Sequence, residues 1–428
     1  MISLSSFIDA IGNQMLMPFI ALYMTETFGI SMVQMGIVFI IVGLGNVIGS
    51  MIGGALTDKF GRKKIALFGL LVSGLFSLSF IFVTDLTAIY ILVGGMGLLG
   101  SMGGPARQAM IADVLPVKQR AEGFGILRIV VNLSATIGPA LGGLLVGFDF
   151  KWLFLVDTLT SVITAIIFFF KIPETSPTLQ KTEIEPLAEI EVQTTPHSEI
   201  EEAKNAKGGY GDVFRNWRFM IFVLVSAIMG LTYMQIMSTL PVFLSEELLF
   251  TKQFYGLLIS MNALMVVVLQ FWITRRIKMF PALVMMAIGN ILYGIGFGMY
   301  GFISTVPLAF LAMIILTVGE MVIAPFQQTL AANFAPEDKR GRYMAVHGWA
   351  EIFPMLFGII GAGFIMDYLN RNIVWYLAGI LSLVAALGYV FLHMVSKEYL
   401  AKLTDEQTDP EMETEIPVES PTDAEVWA

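Results

Sequence analysis

Three carboxylates, Asp9, Glu320 and Glu351, stand in stretches of this chain that are otherwise almost free of charge. In an apolar medium a carboxylate costs a few kcal/mol or more unless it is protonated, paired or in contact with water. A group in that position can take up and lose protons, or exchange a proton for a cation. Each has polar company at helical spacing. Asn13 follows Asp9, Gln327 lies two turns after Glu320 on the same face, and His347, a possible proton relay, precedes Glu351 by one turn.

The elements that carry these groups follow from composition. The chain has 428 residues, of which 56% are hydrophobic and 14% charged, with a mean hydropathy of +0.76. Soluble domains are nearer a quarter charged. Twelve apolar runs, at about 4–27, 33–56, 64–84, 88–111, 122–147, 152–171, 217–243, 253–274, 280–301, 306–332, 342–366 and 371–396, are long enough to cross about 30 Å of hydrocarbon as helices. Transmembrane strands would be about ten residues long and alternate in polarity. The expectation is an all-α, multi-pass membrane protein. Its 41 glycines suit helices that must pack closely without a hydrophobic driving force. On this layout Glu320 lies near the middle of the tenth helix. Glu351 is about 14 Å into the eleventh and Asp9 about 8 Å into the first.

The net charge of −9 comes from two segments. Residues 172–212 hold nine acids and three lysines, and residues 398–428 hold ten acids and one lysine. Both lack apolar periodicity and read as disordered. The domain expectation is therefore a six-helix bundle at 1–171, a cytoplasmic acidic connector at 172–216, a second bundle at 217–396 and an acidic tail at 397–428. With both termini cytoplasmic, 22 of the 25 Lys and Arg fall on the cytoplasmic side, leaving Lys151, Lys252 and Arg371 outside. That is the positive-inside asymmetry of a cell (inner or plasma) membrane protein. The N-terminus carries no signal-peptide pattern, so the first helix is expected to remain. Cysteine is absent, which excludes disulfides and thiol chemistry.

At an offset of 220 the chain resembles itself. Pro105-Ala106-Arg107-Gln108 lies over Pro325-Phe326-Gln327-Gln328, Arg120 over Arg340, Gly138 over Gly358 and Gly143 over Gly363. One ungapped offset over about forty residues implies two parallel six-helix halves. Halves facing each other across a cavity are the architecture of alternating access.

The stretch Gly54-Ala55-Leu56-Thr57-Asp58-Lys59-Phe60-Gly61-Arg62-Lys63-Lys64 falls between the second and third runs. It resembles the loop 2–3 signature of the major facilitator superfamily, in the position that family requires. Gly54 is expected to admit a neighbouring helix, Asp58 to meet a helix N-terminus or a nearby cation, and Gly61 to permit the reversal of the chain. The resemblance implies a conformational latch of the outward-open state formed by Asp58 and Arg62, with Lys63 and Lys64 at the anionic membrane surface. Gly138-Pro139-Ala140-Leu141-Gly142-Gly143 in the fifth run resembles the antiporter motif of that superfamily, in which proline and glycines suit a helix that rocks. Asp9-Ala10-Ile11-Gly12 with Met17-Pro18-Phe19 is similar to the first helix of tetracycline exporters, and Gly319-Glu320 through Pro325 to the tenth helix of LmrP-type multidrug exporters.

The resemblance thus implies a secondary transporter, a proton-coupled antiporter exporting hydrophobic or cationic drugs, with Glu320, Glu351 and Asp9 as coupling groups. Two departures stand out. The arginine expected in the fourth helix falls at Val93, with no basic residue deep in that run, and the acid of the seventh helix falls at Met237. Asn13, Asn132, Gln235, Met237, Asn262 and Gln327 are expected to line the cavity. The alternative is an exporter of one specific solute, such as a sugar, siderophore, amino-acid derivative or lipid. A specific polar substrate needs convergent polar groups, and the runs offer few deep ones. A non-transporting sensor is a remoter alternative, since no further soluble domain is evident. No phosphate-binding loop, metal cluster or catalytic triad is present, so neither an enzyme nor ATP drive is expected. Small-molecule cargo, protons and the lipid bilayer are the expected partners. No cofactor, metal or nucleic acid is implied, and a monomer suffices.

Overall fold

The computed structural model describes residues 2–115, 117–175, 210–336 and 339–408. Among these the chain is helical and contains no strand. The membrane-spanning elements are α1 (Ser3–Phe28), α2 (Met32–Thr57), α3 (Arg62–Ser79), α4 (Leu86–Ile111), α5 (Gly125–Val146), α6 (Lys151–Lys171), α7 (Trp217–Ser238), α8 (Lys252–Ile277), α9 (Ala282–Tyr300), α10 (Val306–Asn333), α11 (Arg342–Tyr368) and α12 (Asn372–Lys397). Eleven are long and apolar enough to cross a bilayer. The other, α3, opens on Arg62, Lys63 and Lys64, which dilute the hydropathy of its 18 residues. The twelve runs expected from sequence are these twelve helices.

Boundaries differ in several places: α3 ends at Ser79 rather than 84 and α7 at Ser238 rather than 243. The helix of α12 continues to Thr408, beyond the expected limit at 396. Tyr399 anchors the extension: its hydroxyl accepts from Asn216 Nδ2 at 3.0 Å and its ring lies 5.0 Å from the Arg218 guanidinium. Within the expected connector, Tyr210–Arg215 is helical and Asp212 meets Lys339 at 2.8 Å. The hydrogen bond from Lys339 holds the exposed Asp212 carboxyl below its usual range, so the contact is present at neutral pH and lost only as the pH falls through that lowered value. Residues 176–209 and 409–428, which make up most of the expected disordered segments, lie outside the described residues.

Packing follows from a shortage of driving force. Lipid is as apolar as leucine, so helices attract by close contact of backbones. On α2 the glycines Gly45, Gly49 and Gly53, one turn apart, lie directly on α4. A Cβ at Gly45 would stand 2.9 Å from the Leu98 amide nitrogen, and those at Gly49 and Gly53 would strike the carbonyls of Leu98 and Met102. In the first half α1 packs on α5 and α6, and α3 on α6. In the second, α9 packs on α10 and α12, and α7 on α12.

The halves meet along α5–α8 and α2–α11. Gly143 lies against Gly256 so closely that a Cβ there would be 3.3 Å from the Gly256 Cα. Ser31 and Gln34 form a capping box at the start of α2. The two amides left over, Met32 and Val33, donate to Asp367 of α11 at 2.9 and 3.0 Å. Glu26 at the end of α1 accepts from Lys252 and from Ser245. These contacts all lie on the face opposite the termini and join the two halves there.

Asp367 is therefore a clamp: a carboxylate on the positive end of a helix belonging to the other half, worth about 1 kcal/mol. Asp367→Asn is expected to lower the closed-to-open ratio of that face about fivefold. Because the chain has no native cysteine, spin labels at Phe148→Cys and Phe302→Cys can report the separation directly. An unchanged distance distribution would remove the clamp from the account.

Candidate functional site

Each half contains a polar centre. In the first, Asp9 is partly buried. Its Oδ2 accepts from Arg107 Nη1 of α4 at 2.5 Å, and its Oδ1 accepts from Ser161 Oγ of α6 at 3.2 Å. One turn before Ser161, Asp157 is 3% exposed and its Oδ2 has no hydrogen-bond partner among the described residues. These groups line a cavity of about 610 Å³ bordered by α1 to α6. The α4 wall turns to a π-helix at Met96–Gly100, a local widening often found at functional sites.

The expectation of few convergent polar groups does not hold for this cavity. Eleven of its 23 lining residues are polar or charged, Asn13, Asn46, Ser73 and Ser101 among them. They come from different helices, so no single run displays them together. No basic residue lies deep in the fourth helix, as expected, but one near its end matters. Val93 is buried, but Arg107 of the same helix supplies the cation and pairs with Asp9. Asp157 was missed altogether, although it interrupts an apolar run at a depth similar to that of Asp9.

In the second half, Glu320 of α10 is partly buried. Its Oε1 accepts from the Tyr233 hydroxyl at 3.2 Å and its Oε2 from Asn262 Nδ2 at 2.9 Å. Asn262 also donates to Thr317 Oγ1 at 2.9 Å, and the Tyr233 ring stacks on Tyr293. Both partners of Glu320 are neutral, and no ion pair with a described residue offsets its charge. Sequence reasoning chose Glu320 and Asn262 separately, and the fold brings them together. It missed Tyr233, whose hydroxyl becomes relevant only once α7 crosses α10.

The other candidates are more scattered. Gln235 is buried and held by the Leu231 and Gly358 carbonyls, with Thr239 on its oxygen, so it braces α7 against α11. Its neighbour Met237 is partly exposed beside the Tyr255 hydroxyl. Asn132 is exposed on α5, and Gln327 is partly buried on α10. The Glu351 side chain is exposed, whereas His347 is buried and stacked on Phe222, with Nε2 unpartnered among the described residues. The two do not share an environment, which a single helical turn had suggested.

The loop 2–3 residues are anchored within their own half. Glu174 at the end of α6 accepts from the Arg62 and Lys63 amides at 2.9 and 3.1 Å. Arg62 pairs with Asp113 and donates to the Ala109 carbonyl at 3.0 Å, and Lys63 Nζ reaches the Phe169 carbonyl at 2.7 Å. Gly61 has φ of +95°, a conformation that favours glycine and allows the reversal. The role expected of Gly54 falls instead to Gly53, since a Cβ at Gly54 would meet nothing within 4 Å. The Asp58 side chain lies outside the described residues. In α5, Gly138 and Gly142 seat Gln14 and Met15 of α1, while Pro139 and Gly143 face Gly256 of α8. The motif therefore forms the junction between a cavity helix and the other half.

Arg107→Ala would leave the Asp9 carboxyl without its cation in the cavity wall, at an expected cost of about 1–3 kcal/mol. Adding Asp9→Asn to that variant should recover most of the loss. A double-mutant cycle on thermal unfolding of the purified protein measures the coupling, and additive losses would mean that the pair does not hold α1 to α4.

A sequence profile of the Major Facilitator Superfamily matches residues 2–351 and again 224–411. The chain is 28% identical over 351 residues to a Na(+), Li(+), K(+)/H(+) antiporter of Planococcus maritimus, covering 77% of this chain and 80% of the relative. It is 23% identical over 377 residues to the multidrug resistance protein MdtH of Aeromonas salmonicida, covering 87% and 88%. Among solved structures, a crystal structure of the nucleoside transporter NupG aligns with a TM-score of 0.73 at 15% identity, over 91% of this chain and 98% of that one.

Proposed function

This chain belongs to the Major Facilitator Superfamily, a transporter rather than an enzyme, and we propose that it is a proton-coupled antiporter that exports a cationic cargo by alternating access. The carrying observation is Glu320. It is a membrane carboxylate held by two neutral donors, Asn262 and Tyr233, with no cation opposite it among the described residues. Such a group can be neutralised by a proton or by a positively charged cargo, and competition between them is antiport without a separate coupling device. The placement of 22 of 25 cations at the face bearing the termini supports a cytoplasmic assignment for that face. The halves joined at the opposite face then correspond to an inward-facing state, and the α5 and α2 junctions to the hinges of rocking.

Two cargo chemistries fit a cation site. Hydrophobic organic cations are the cargo implied by the resemblance to drug exporters. A small inorganic cation is favoured by the polar cavity wall and by the relative in Planococcus maritimus that exchanges alkali cations for protons. Asp9 is less suited to the coupling role than Glu320, because Arg107 already neutralises it.

In inverted membrane vesicles holding a pH gradient, sodium, potassium and ethidium are each added while a pH-sensitive dye reports proton release. The intact protein is expected to discharge the gradient with at least one of the three, and Glu320→Gln to lose that response while inserting normally. Discharge by the alkali ions alone would retire the drug reading. Full activity of Glu320→Gln would remove Glu320 from the coupling step.

A further inference from the structure

Asp157 takes no part in the Glu320 network, yet it is the most enclosed acid of the cavity wall. It is 3% exposed, its Oδ2 lacks a hydrogen-bond partner among the described residues, and it lines the cavity. A carboxylate kept only to tie helices together would be expected to use both oxygens. The neighbouring helix makes room for it: a Cβ at Gly12 of α1 would stand 2.9 Å from Asp157 Oδ1.

Few charged groups face Asp157. From α1 comes Asp9, and from α4 comes Arg107, which Asp9 holds. Ser77 of α3, near the Asp157 carboxyl, donates to the Phe154 carbonyl at 3.4 Å. The single charged side chain of α5, Arg128, is exposed. Asp9 and Arg107 cancel as a pair, so the wall carries one net negative charge when Asp157 is ionised and none when it is protonated. A proton on Asp157 therefore decides whether the cavity attracts a cation.

Resting on the antiport reading, we propose that Asp157 is a second proton-carrying carboxylate, so that each cycle exchanges two protons, one at Glu320 and one at Asp157. An O–H bond forms at Asp157 as cargo leaves the cavity and breaks when the cavity next faces the side that receives the proton. Two protons move one way for one monovalent cation the other way, with one net positive charge transferred.

The test follows the carboxyl groups themselves. Full-length protein in lipid is titrated from alkaline to acid pH while infrared difference spectra record the C=O stretch of protonated carboxyls. Asp157→Asn is expected to remove one component and Glu320→Gln another, with the amide bands unchanged. An undiminished carboxyl signal in folded Asp157→Asn overturns the proposal. Should that variant lose its amide signature, Asp157→Glu decides instead: a displaced carboxyl band supports the assignment and an unmoved one overturns it. Because Glu320→Gln is read separately, a spectrum it leaves unchanged counts against the antiport reading and not against proton binding at Asp157. In proteoliposomes with equal thiocyanate on both sides to shunt the potential, a pH difference of about one unit should sustain about a hundredfold gradient of sodium or ethidium. Asp157→Asn should sustain about tenfold, since each coupled proton contributes about one decade. A hundredfold gradient in that variant would also overturn the proposal.

Discussion

Inside hydrocarbon a peptide group has no water to bond, and nearly everything in this structure answers to that constraint. It forces the chain into helices whose backbones satisfy themselves. It also removes the hydrophobic force that would press those helices together. What remains is contact distance, and so the backbones meet at glycine. Gly45, Gly49 and Gly53 let α2 rest on α4, and Gly143 with Gly256 let the two halves touch.

Charge within the membrane obeys the same rule, and the acids are accommodated in different ways. Asp9 is neutralised by Arg107. Glu320 is held by the neutral donors Asn262 and Tyr233. Asp157 has Ser77 beside it and one oxygen unpartnered among the described residues. Asp367, on the face opposite the termini, is exposed and anchors to the unpaired amides at the start of α2. Neutralised, solvated by neutral donors, enclosed and helix-capping carboxylates are chemically distinct, although each is an acid in or beside an apolar run.

The two halves do not divide the work symmetrically. The 220-residue repeat places Arg107 over Gln327 and Gly100 over Glu320, so the cation of one half and the uncompensated acid of the other occupy positions with no charged counterpart. The first half borders the polar cavity, while the second contributes the acid without a counter-ion. A shared backbone plan thus carries unlike electrostatics, which is what lets opposite halves favour different occupants.

Local chemistry along the chain was sufficient to read out twelve helices, the repeat, the positive face and the turn at Gly61, because hydropathy, charge and backbone conformation are properties of neighbouring residues. It was also sufficient to single out Glu320 and Asp9. It did not reveal that Asn262 and Tyr233 converge on Glu320, that Arg107 belongs to Asp9, or that Gly53 rather than Gly54 is the contact glycine. Nor did it show that Gln235 is a brace, or that polar residues scattered over five helices form one cavity wall. Those facts depend on the rotation of each helix about its own axis and on which helix lies beside it. In a membrane these are set by the fit of one surface against another, which the sequence of a single helix does not contain.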